Sequence, residues 1–419
     1  MNGAVETEAV QKPSRSSSHP PGSKVQQTDV PLTVQWLTSP EQIASVGDIW
    51  DRWQWYPEAD RDFVEIIVEH RTQVQSQAAL VLSRGSEKSA MLVGRLELGR
   101  LNAASRLAGR VQPRLRIFKI VYGGVLGNWT PDAVNAAWAA LQNELSAGTF
   151  DAVQFRMLNV ESPFWASFSA HFSAPVRGHV ESPTLHWILP VPKTYEELFK
   201  ALDSRTRKNL KRHIKLLERE FSNITVQRLS SPNDLETIVQ TSASIMSKTY
   251  QQGFETDWAS DEMRARVRLW LKRGALTSHF LHINGGACAY QHILSYRGRA
   301  FAIGTAYDPA FRQYGIGRYI QLKALEHLCG TGVSEVDFGF GDAEYKRELC
   351  SIHRHEADLL CFAWRTAPIW ANAARTLDIG GAYAAKKLLE RTNLHSLVKK
   401  QWRAWRKTTA LASNPPSAA

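Results

Sequence analysis

The sequence lacks any long apolar run and contains little cysteine. No apolar stretch approaches the ~18 consecutive residues of a membrane span, and residues 1–29 have no apolar segment typical of a signal peptide. The four cysteines do not have the spacing of a disulfide framework; they are Cys288, Cys329, Cys350 and Cys361. We therefore expect a cytoplasmic protein whose first 29 residues, rich in Ser, Gln and Pro, form a disordered tail.

Basic residues are numerous but confined to two segments. The net charge is +11, and residues 205–215 and 386–407 together carry +13, which leaves −2 for the rest of the chain. A nearly neutral body with two basic appendages argues against nucleic-acid binding over the whole surface, so we expect no specific nucleic-acid partner. The length of 419 residues suits two domains of ordinary size.

A glycine-containing turn lies between a strand-like run, residues 301–307, and a helix-like run, residues 319–328. Its glycines let the backbone turn tightly and approach a ligand, and the first N–H groups of the following helix then point at an anion. The alternative is an ordinary strand-to-helix turn. We favour a pyrophosphate cradle made of Arg312, Gln313, Tyr314, Gly315, Ile316, Gly317 and Arg318.

A second motif follows the next predicted strand, residues 333–338. It has the form G-D-x-x-Y-K and consists of Gly341, Asp342, Tyr345 and Lys346. Together with R-x-x-G-x-G after a strand, it resembles the GNAT acyltransferases of the CelD-like and FemAB-like branch, which act in bacterial polysaccharide and cell-wall assembly. Family members often carry a polar residue where this chain has Phe340. The resemblance covers residues 180–365 clearly and 30–180 faintly.

The resemblance implies an α/β (α+β) fold of GNAT-like mixed-sheet units with flanking helices. It also implies that acetyl-CoA or another acyl-CoA is the co-substrate, held by residues 312–318, with no metal. Transfer is then direct, without a covalent enzyme intermediate. We expect Asp342 or Glu344 as the base or acceptor-orienting group, with Asp342 belonging to the matched motif. Tyr345 is expected as the acid for the thiolate, and Lys346 as a site for an anionic substrate group. Tyr345 as a packing residue and His292 as the base are the alternatives.

An internal repeat predicts that the units occur in tandem. Residues 145–155 align without gaps on residues 328–338, and both segments have the pattern of a helix end, a turn and a strand. At the same offset the cradle falls on residues 129–134, which contain no glycine. The first copy is therefore either structural support or a face that helps to hold the acceptor. We predict a tail at 1–29, a degenerate first unit at 30–180, a second unit at 181–366 that carries the acyl-CoA motif, and a basic helical tail at 367–419.

A basic helix is predicted near the start of the second unit. Leu210, Ile214, Leu217 and Phe221 recur along one face, and cations occupy the first turn, where they oppose the helix dipole. A solvated basic face is the alternative. We expect phosphate contacts, either from coenzyme A or from an activated acceptor, made by Arg205, Arg207, Lys208 and Lys211.

Further patterns predict the elements around these motifs. Residues 79–98 and 278–296 are typical of hairpins, the second one across Asn284 and Gly285. Gly304 marks an irregularity in the strand before the cradle. The C-terminal tail carries Trp402 and Trp405 among cations, which suits either contact with an anionic membrane or docking on the protein itself.

The sequence therefore favours an acyl-CoA-dependent N- or O-acyltransferase acting on a sugar, glycan or cell-envelope precursor. One alternative is FemAB-like transfer from aminoacyl-tRNA in cell-wall peptide assembly. Another is a catalytically silent scaffold of a polysaccharide synthase. The intact cradle favours coenzyme A, because an aminoacyl-tRNA enzyme has no pantetheine pyrophosphate to bind.

Overall fold

The described part of the chain folds around a single mixed sheet of twelve strands. The structure is a computed structural model that describes residues 30–101, 111–179, 182–249 and 257–391. The strands lie side by side in the order β1-β2-β3-β4-β5-β12-β6-β11-β10-β9-β8-β7. This arrangement agrees with the predicted fold class of two mixed-sheet units with flanking helices.

The strands are numbered along the chain. They are β1 (Leu32–Leu37), β2 (Val74–Arg84), β3 (Glu87–Gly99), β4 (Leu115–Gly127), β5 (Ala152–Asn159), β6 (Thr184–Pro190), β7 (Ile224–Leu229), β8 (Leu276–Ile283), β9 (Gly286–Tyr296), β10 (Arg299–Tyr307), β11 (Glu335–Phe340) and β12 (Ile352–Phe362).

The helices of the described residues flank this sheet. They are α1 (Pro40–Ala44), α2 (Gly47–Trp53), α3 (Arg61–His70), α4 (Pro131–Ala147), α5 (Pro163–His171), α6 (Tyr195–Ala201), α7 (Ser204–Glu220), α8 (Leu235–Ser247), α9 (Asp261–Lys272), α10 (Ile316–Leu328), α11 (Glu344–Leu349) and α12 (Thr366–Arg391).

Local signals in the sequence account for many of these elements. The predicted hairpins are confirmed as β2–β3 and β8–β9. Asn284 and Gly285 connect the second hairpin with φ values of +51° and +81°, the left-handed conformation that such a turn needs. Ser260 caps α9 by accepting a hydrogen bond from the N–H of Met263 at 3.2 Å.

The aligned repeat is confirmed as two equivalent helix-turn-strand segments, α4–β5 and α10–β11. The strand that follows each segment crosses the centre of the sheet. β6 follows β5 along the chain but pairs with β11, and β12 follows β11 but pairs with β5. The two crossing strands also pair with each other. The units therefore share one sheet through an exchange of strands.

A buried polar network lies where the strands cross. His186 on β6 is 2.8 Å from Asp337 on β11 and 3.0 Å from Glu356 on β12. Tyr122 on β4 donates a hydrogen bond to Glu356 at 2.7 Å, and Arg354 on β12 is paired with the same carboxylate at 2.5 Å. Burial alone would lower the pKa of His186, but the two carboxylates raise it above its ordinary value. The network thus joins both units through His186 and its two carboxylate partners.

Packing between α3 and α9 also holds the units together. Phe63 stacks on Trp270 with ring centroids 6.0 Å apart, and Arg71 forms a bidentate ion pair with Glu262 at 2.9 Å. One apolar cluster includes Tyr56 of the first unit and Phe301 of the second. We therefore expect the two units to behave as one packed body.

Helix α12 follows the last strand and leaves several large apolar side chains exposed. Trp370 is 53% exposed and Leu377 is 75% exposed. No helix in the described ranges is both long and apolar enough to cross a bilayer. The predicted tail at 1–29 and the tryptophan-containing segment from residue 392 onward lie outside the described residues.

Candidate active site

The predicted cradle spans the end of a 3₁₀ helix, Pro309–Tyr314, and the N-terminus of α10. Gly315 precedes the helix with φ of +64°, no side chain caps it, and no acidic residue occupies the first turn. The first backbone N–H that donates along α10 is that of Arg318, which bonds to the carbonyl oxygen of Gly315. The N–H groups of Ile316 and Gly317 therefore have no intrahelical acceptor. Such an open helix start suits an anion.

Both glycines of the cradle are also required by close packing. A Cβ atom on Gly315 would lie 2.7 Å from Nδ1 of His213 on α7, and one on Gly317 would lie 2.9 Å from the ring of Tyr307. The side chain of Ile316 is fully buried. The cradle can therefore bind a ligand through its backbone rather than through these side chains.

Helix α7 lies beside the cradle and brings its cations to it. A cavity of about 720 Å³, here called the basic cavity, opens between them. It is lined by Lys208, Lys211, Arg212, His213, Lys215, Leu216, Arg219 and Gln313. Five cations beside an uncapped helix N-terminus form an environment for phosphate groups.

Not all of the predicted phosphate contacts point to this cavity. Lys208 and Lys211 line it, whereas Arg205 is exposed outside its lining. Arg207 donates to the backbone oxygen of Lys200 at 2.7 Å and so caps α6. The carboxylate of Asp203 caps α7, accepting bonds from two backbone N–H groups. Asp203 therefore offsets part of the unfavourable interaction between the cations of the first turn and the helix dipole. A bound anion is not needed to explain that part.

The strand before the cradle separates from its neighbour as predicted. β10 pairs with β11 only at Ala300 and Phe301, and its register shifts between Ala302 and Gly304. A cavity of about 370 Å³, here called the splay cavity, opens at this point. Its walls come from β10, β11, α9 and the turn Tyr56–Glu58 of the first unit. The predicted acyl transfer would need such a gap, because a thioester and an acceptor have to meet in it.

A second, strongly charged cleft adjoins the splay cavity on the side of the first unit. Its volume is about 720 Å³, and we call it the cationic cleft. Seven cations and two acids of the described residues line it: Arg71, Arg95, Arg100, Arg114, Lys119, Arg156, Arg266, Glu58 and Glu97. Converging cations of this kind suit an anionic ligand.

The predicted catalytic residues Asp342, Tyr345 and Lys346 do not line the splay cavity. Asp342 is exposed and forms a bidentate pair with Arg347 at 2.6 Å, which lowers its pKa. Tyr345 is half-buried, with the guanidinium of Arg318 5.5 Å from its ring centre. The geometry thus places Asp342 and Tyr345 beside the site rather than within it, and their catalytic roles stay predictions.

Lys346 is buried and holds the end of β11. Its ammonium group donates to the backbone oxygens of Gly339 at 3.1 Å and Phe340 at 2.7 Å. Burial lowers its pKa to about 8. These contacts fix the backbone at the end of β11. They do not support the predicted binding of an anionic substrate group.

His292, the alternative base, is fully buried in β9. Its two ring nitrogens lie 3.0 Å from the hydroxyl of Ser242 and 2.9 Å from that of Ser278. Burial lowers its pKa to about 3, so the ring is neutral. With both nitrogens engaged, His292 has the environment of a structural histidine.

Sequence reasoning missed Glu58, which lines both the splay cavity and the cationic cleft. It also missed Arg212 and Arg219 of the basic cavity as ligand-facing residues. The helical spacing of Arg212 and Arg219 with Lys208 and Lys215 could have revealed them. Nothing near Glu58 in the sequence signals its position, because the residues opposite it are far away along the chain.

Comparison with known proteins identifies a family model for part of the chain and a shared fold. Residues 204–347 match the family model described as acetyltransferase (GNAT) domain, from α7 to α11. A crystal structure of FemX is 12% identical and has a TM-score of 0.53; the match covers 78% of this chain and 97% of FemX. The two proteins therefore share a fold.

Two further solved structures are similar at lower scores. A conserved protein of unknown function from Bacteroides thetaiotaomicron VPI-5482 is 10% identical, with 76% and 97% of the two chains covered and a TM-score of 0.47. A tandem GNAT protein from the clavulanic acid biosynthesis pathway is 11% identical, with 80% and 100% covered and a TM-score of 0.46. No curated protein sequence matches the chain.

Proposed function

We propose, from the premise that this tandem protein carries a GNAT acetyltransferase domain in its second unit, that it transfers an acyl group from acyl-CoA to an acceptor. The acceptor is an amine or hydroxyl of a sugar, glycan or cell-envelope precursor. Transfer is direct, because attack on the thioester needs no covalent enzyme intermediate.

One observation carries this proposal: the N-terminus of α10 is uncapped, and Gly315 at its start lies against His213, a lining residue of the basic cavity. In this arrangement the backbone N–H groups of Ile316 and Gly317 bind the pyrophosphate of coenzyme A. Lys208 and Lys211 neutralise its phosphate charge. The pantetheine arm then reaches the gap between β10 and β11, where the thioester lies in the splay cavity.

The cationic cleft is the proposed site of the acceptor. Its excess of cations favours an acceptor that carries phosphate or carboxylate groups, such as a nucleotide-activated or lipid-phosphate sugar. The cleft shares four lining residues with the splay cavity: Glu58, Phe63, Arg266 and Phe340. An acceptor anchored in the cleft can therefore place its nucleophile at the thioester.

FemAB-like transfer from aminoacyl-tRNA is the second candidate. The FemX fold favours it, whereas the open helix N-terminus favours a pyrophosphate-bearing donor. A catalytically silent scaffold is a third candidate. Both an intact cradle and an open splay cavity count against it, since a scaffold has no need of either.

A peripheral membrane location belongs to the same proposal. The exposed Trp370 and Leu377 of α12 lead toward the basic segment at 386–407, and apolar groups flanked by cations suit the surface of an anionic membrane. A vesicle cosedimentation assay with anionic and neutral lipids tests this. Equal binding to both, or to neither, would contradict it.

The test of the function is a calorimetric titration with acetyl-CoA, followed by a screen of phosphorylated amino sugars as acceptors. We expect acetyl-CoA to bind and coenzyme A thiol to be released in the presence of an acceptor. Binding of aminoacyl-tRNA without binding of acetyl-CoA would favour the second candidate. Failure to bind either donor would favour the scaffold.

A further inference from the structure

We propose that Glu58 of the first unit is the general base for the acyl transfer that takes place on the second unit. The inference rests on the proposed function and assigns a catalytic residue outside the matched domain, residues 204–347. On this view the degenerate first unit contributes directly to the chemistry.

The position of Glu58 is the first reason. Of the four residues that line both the splay cavity and the cationic cleft, Glu58 alone can accept a proton; the others are Phe63, Arg266 and Phe340. The splay cavity contains the strand gap in which the thioester is proposed to lie. A nucleophile that enters from the cleft therefore passes the Glu58 carboxylate before it reaches the thioester.

The turn that carries Glu58 is firmly held. It is a single 3₁₀ turn, Pro57–Ala59, and the indole N–H of Trp50 donates to the backbone oxygen of Ala59 at 2.8 Å. The next residue, Asp60, is buried and accepts bonds from Tyr296 and Arg273 of the second unit, both at 2.8 Å. The backbone beside Glu58 is thus fixed against the unit that carries the donor.

The carboxylate of Glu58 is also free to take a proton. No ion pair or hydrogen bond within the described ranges engages it, and the side chain is exposed to the cleft. The other carboxylate of the cleft, Glu97, is paired with Arg95 at 2.5 Å and with Lys119. Asp342 is paired with Arg347. Glu58 is therefore the carboxylate that a substrate can reach without first breaking a salt bridge.

The electrostatic surroundings suit a base. Protein surrounds the cleft, and this desolvation raises the pKa of Glu58, while the guanidinium groups that face it act in the opposite direction. A raised pKa makes a carboxylate a stronger base near neutral pH. The charged or titratable groups around Glu58 include those of the cationic cleft and the splay cavity. They are Tyr56, Arg71, Arg95, Glu97, Arg100, Arg114, Lys119, Tyr122, Arg156, Arg266 and Asp337, the last of which is paired with His186.

The step is balanced within the groups named. The acceptor N–H or O–H gives its proton to Glu58 as the nitrogen or oxygen bonds to the acyl carbon. The carbon–sulfur bond then breaks and coenzyme A leaves as a thiolate. The proton on Glu58 returns to that thiolate, directly or through water, so the products are the amide or ester and free coenzyme A.

The experiment compares Glu58→Gln with Glu69→Gln, an exposed glutamate of α3 outside both cavities. Release of thiol from acetyl-CoA is followed with glucosamine 1-phosphate as the acceptor probe and, separately, with water as the nucleophile. Glu58→Gln should lower the rate by about 10²–10⁴-fold while acetyl-CoA affinity and thermal stability stay unchanged. Glu69→Gln should match the wild type.

A chemical rescue distinguishes a base from a structural residue. Formate added to Glu58→Ala should restore part of the thiol release, because a small carboxylate can occupy the vacated space, and should not change Glu58→Gln. The acidic limb of the pH–rate profile should disappear in both variants. Wild-type and Glu58→Gln rates that are equal with both nucleophiles would overturn the inference. Absence of acetyl-CoA binding to the wild type would instead overturn the proposed function, and the inference with it.

Discussion

Helices α4 and α10 occupy equivalent places in the two units and begin in opposite ways. Thr130 caps α4 by accepting a hydrogen bond from the N–H of Ala133 at 3.3 Å, Pro131 has no N–H to offer, and Asp132 adds a negative charge to the first turn. At α10 none of these groups is present, and Gly315 leaves the helix start open. The first unit satisfies its helix N-terminus internally, whereas the second keeps it available for an anion.

This difference shows how one fold can be divided between two tasks. In the first unit the helix start equivalent to the proposed donor site is closed, and the strands β3, β4 and β5 carry three of the seven cations of the cationic cleft, Arg95, Lys119 and Arg156. The second unit has kept the open helix and the splay cavity. Loss of one binding site in a tandem repeat thus need not leave a passive copy.

The largest effect is expected from filling the open helix start. Gly315→Val together with Gly317→Val should abolish binding of acetyl-CoA, because both Cβ atoms would collide with side chains and Gly315 has a positive φ. Calorimetry measures the affinity, and a thermal melt separates lost binding from lost folding. If the double variant does not fold, the milder Gly317→Ala should still weaken the binding of acetyl-CoA. An equal loss of acetyl-CoA binding from changes at Thr130 or Pro131 would contradict the difference between the closed start of α4 and the open start of α10.

The next effect concerns the crossing strands that join the units. His186→Gln leaves Asp337 and Glu356 buried without their shared cation, and removal of one partner from a buried ion pair costs about 3–5 kcal/mol. We expect a loss of that order in the free energy of unfolding, measured with denaturant. The exposed His355→Gln on β12 is the matched control and should be near neutral.

The pH dependence of that loss has a definite sign. The pKa of His186 is raised in the folded state. Its contribution to the free energy of unfolding is therefore fully present below the ordinary pKa of about 6.5 and declines as the pH rises through the raised pKa. The difference in unfolding free energy between wild type and His186→Gln should therefore shrink at alkaline pH. A difference that grows with pH would show that the histidine is neutral in the fold.

A smaller effect is expected at the basic cavity. Lys208→Glu with Lys211→Glu should raise the KM for acetyl-CoA on the order of tenfold, since one charge-assisted hydrogen bond contributes ~1.5–3 kcal/mol. Thermal stability should be unchanged or improved, because negative charge near a helix N-terminus is favourable. Arg207→Glu should instead melt earlier with an unchanged KM. If Arg207→Glu instead raises the KM and leaves the thermal stability unchanged, Arg207 makes the phosphate contact.

Weaker effects should come from the closed helix and from Asp342. Thr130→Ala removes the cap of α4 and should cost about 1 kcal/mol of unfolding free energy without any change in acetyl-CoA binding. Asp342→Asn should slow turnover much less than Glu58→Gln, because Asp342 is already paired with Arg347 outside the splay cavity. A large kinetic defect in Asp342→Asn would restore the motif residue as the base.

Local sequence patterns and the internal repeat were sufficient to predict much of the fold. The turn at Asn284 and Gly285 requires left-handed φ values, and Gly304 marks the irregular strand. The cradle was recognisable because its glycines sit between a strand and a helix. Each of these features depends on residues close together in the chain.

The crossing strands and Glu58 depend instead on pairings that no local pattern specifies. β6 is largely apolar and β12 is apolar only in its second half. Their periodicity does not say that each pairs with the other unit's sheet. Glu58 lines the same cavity as Phe301 and Phe340, which lie more than half of the chain away in sequence. Thr130 followed by Pro131, by contrast, is a recognisable cap signal that could have explained the missing cradle of the first unit.

The stoichiometry of acetyl-CoA binding, measured by calorimetry on the full chain, tests the central claim most directly. The account predicts one site per chain, weakened in Gly317→Ala, lost in the double glycine variant and retained in Thr130→Ala. Two sites per chain, or one site that survives both glycine variants and disappears with Thr130→Ala, would contradict the division between a closed first unit and an open second unit.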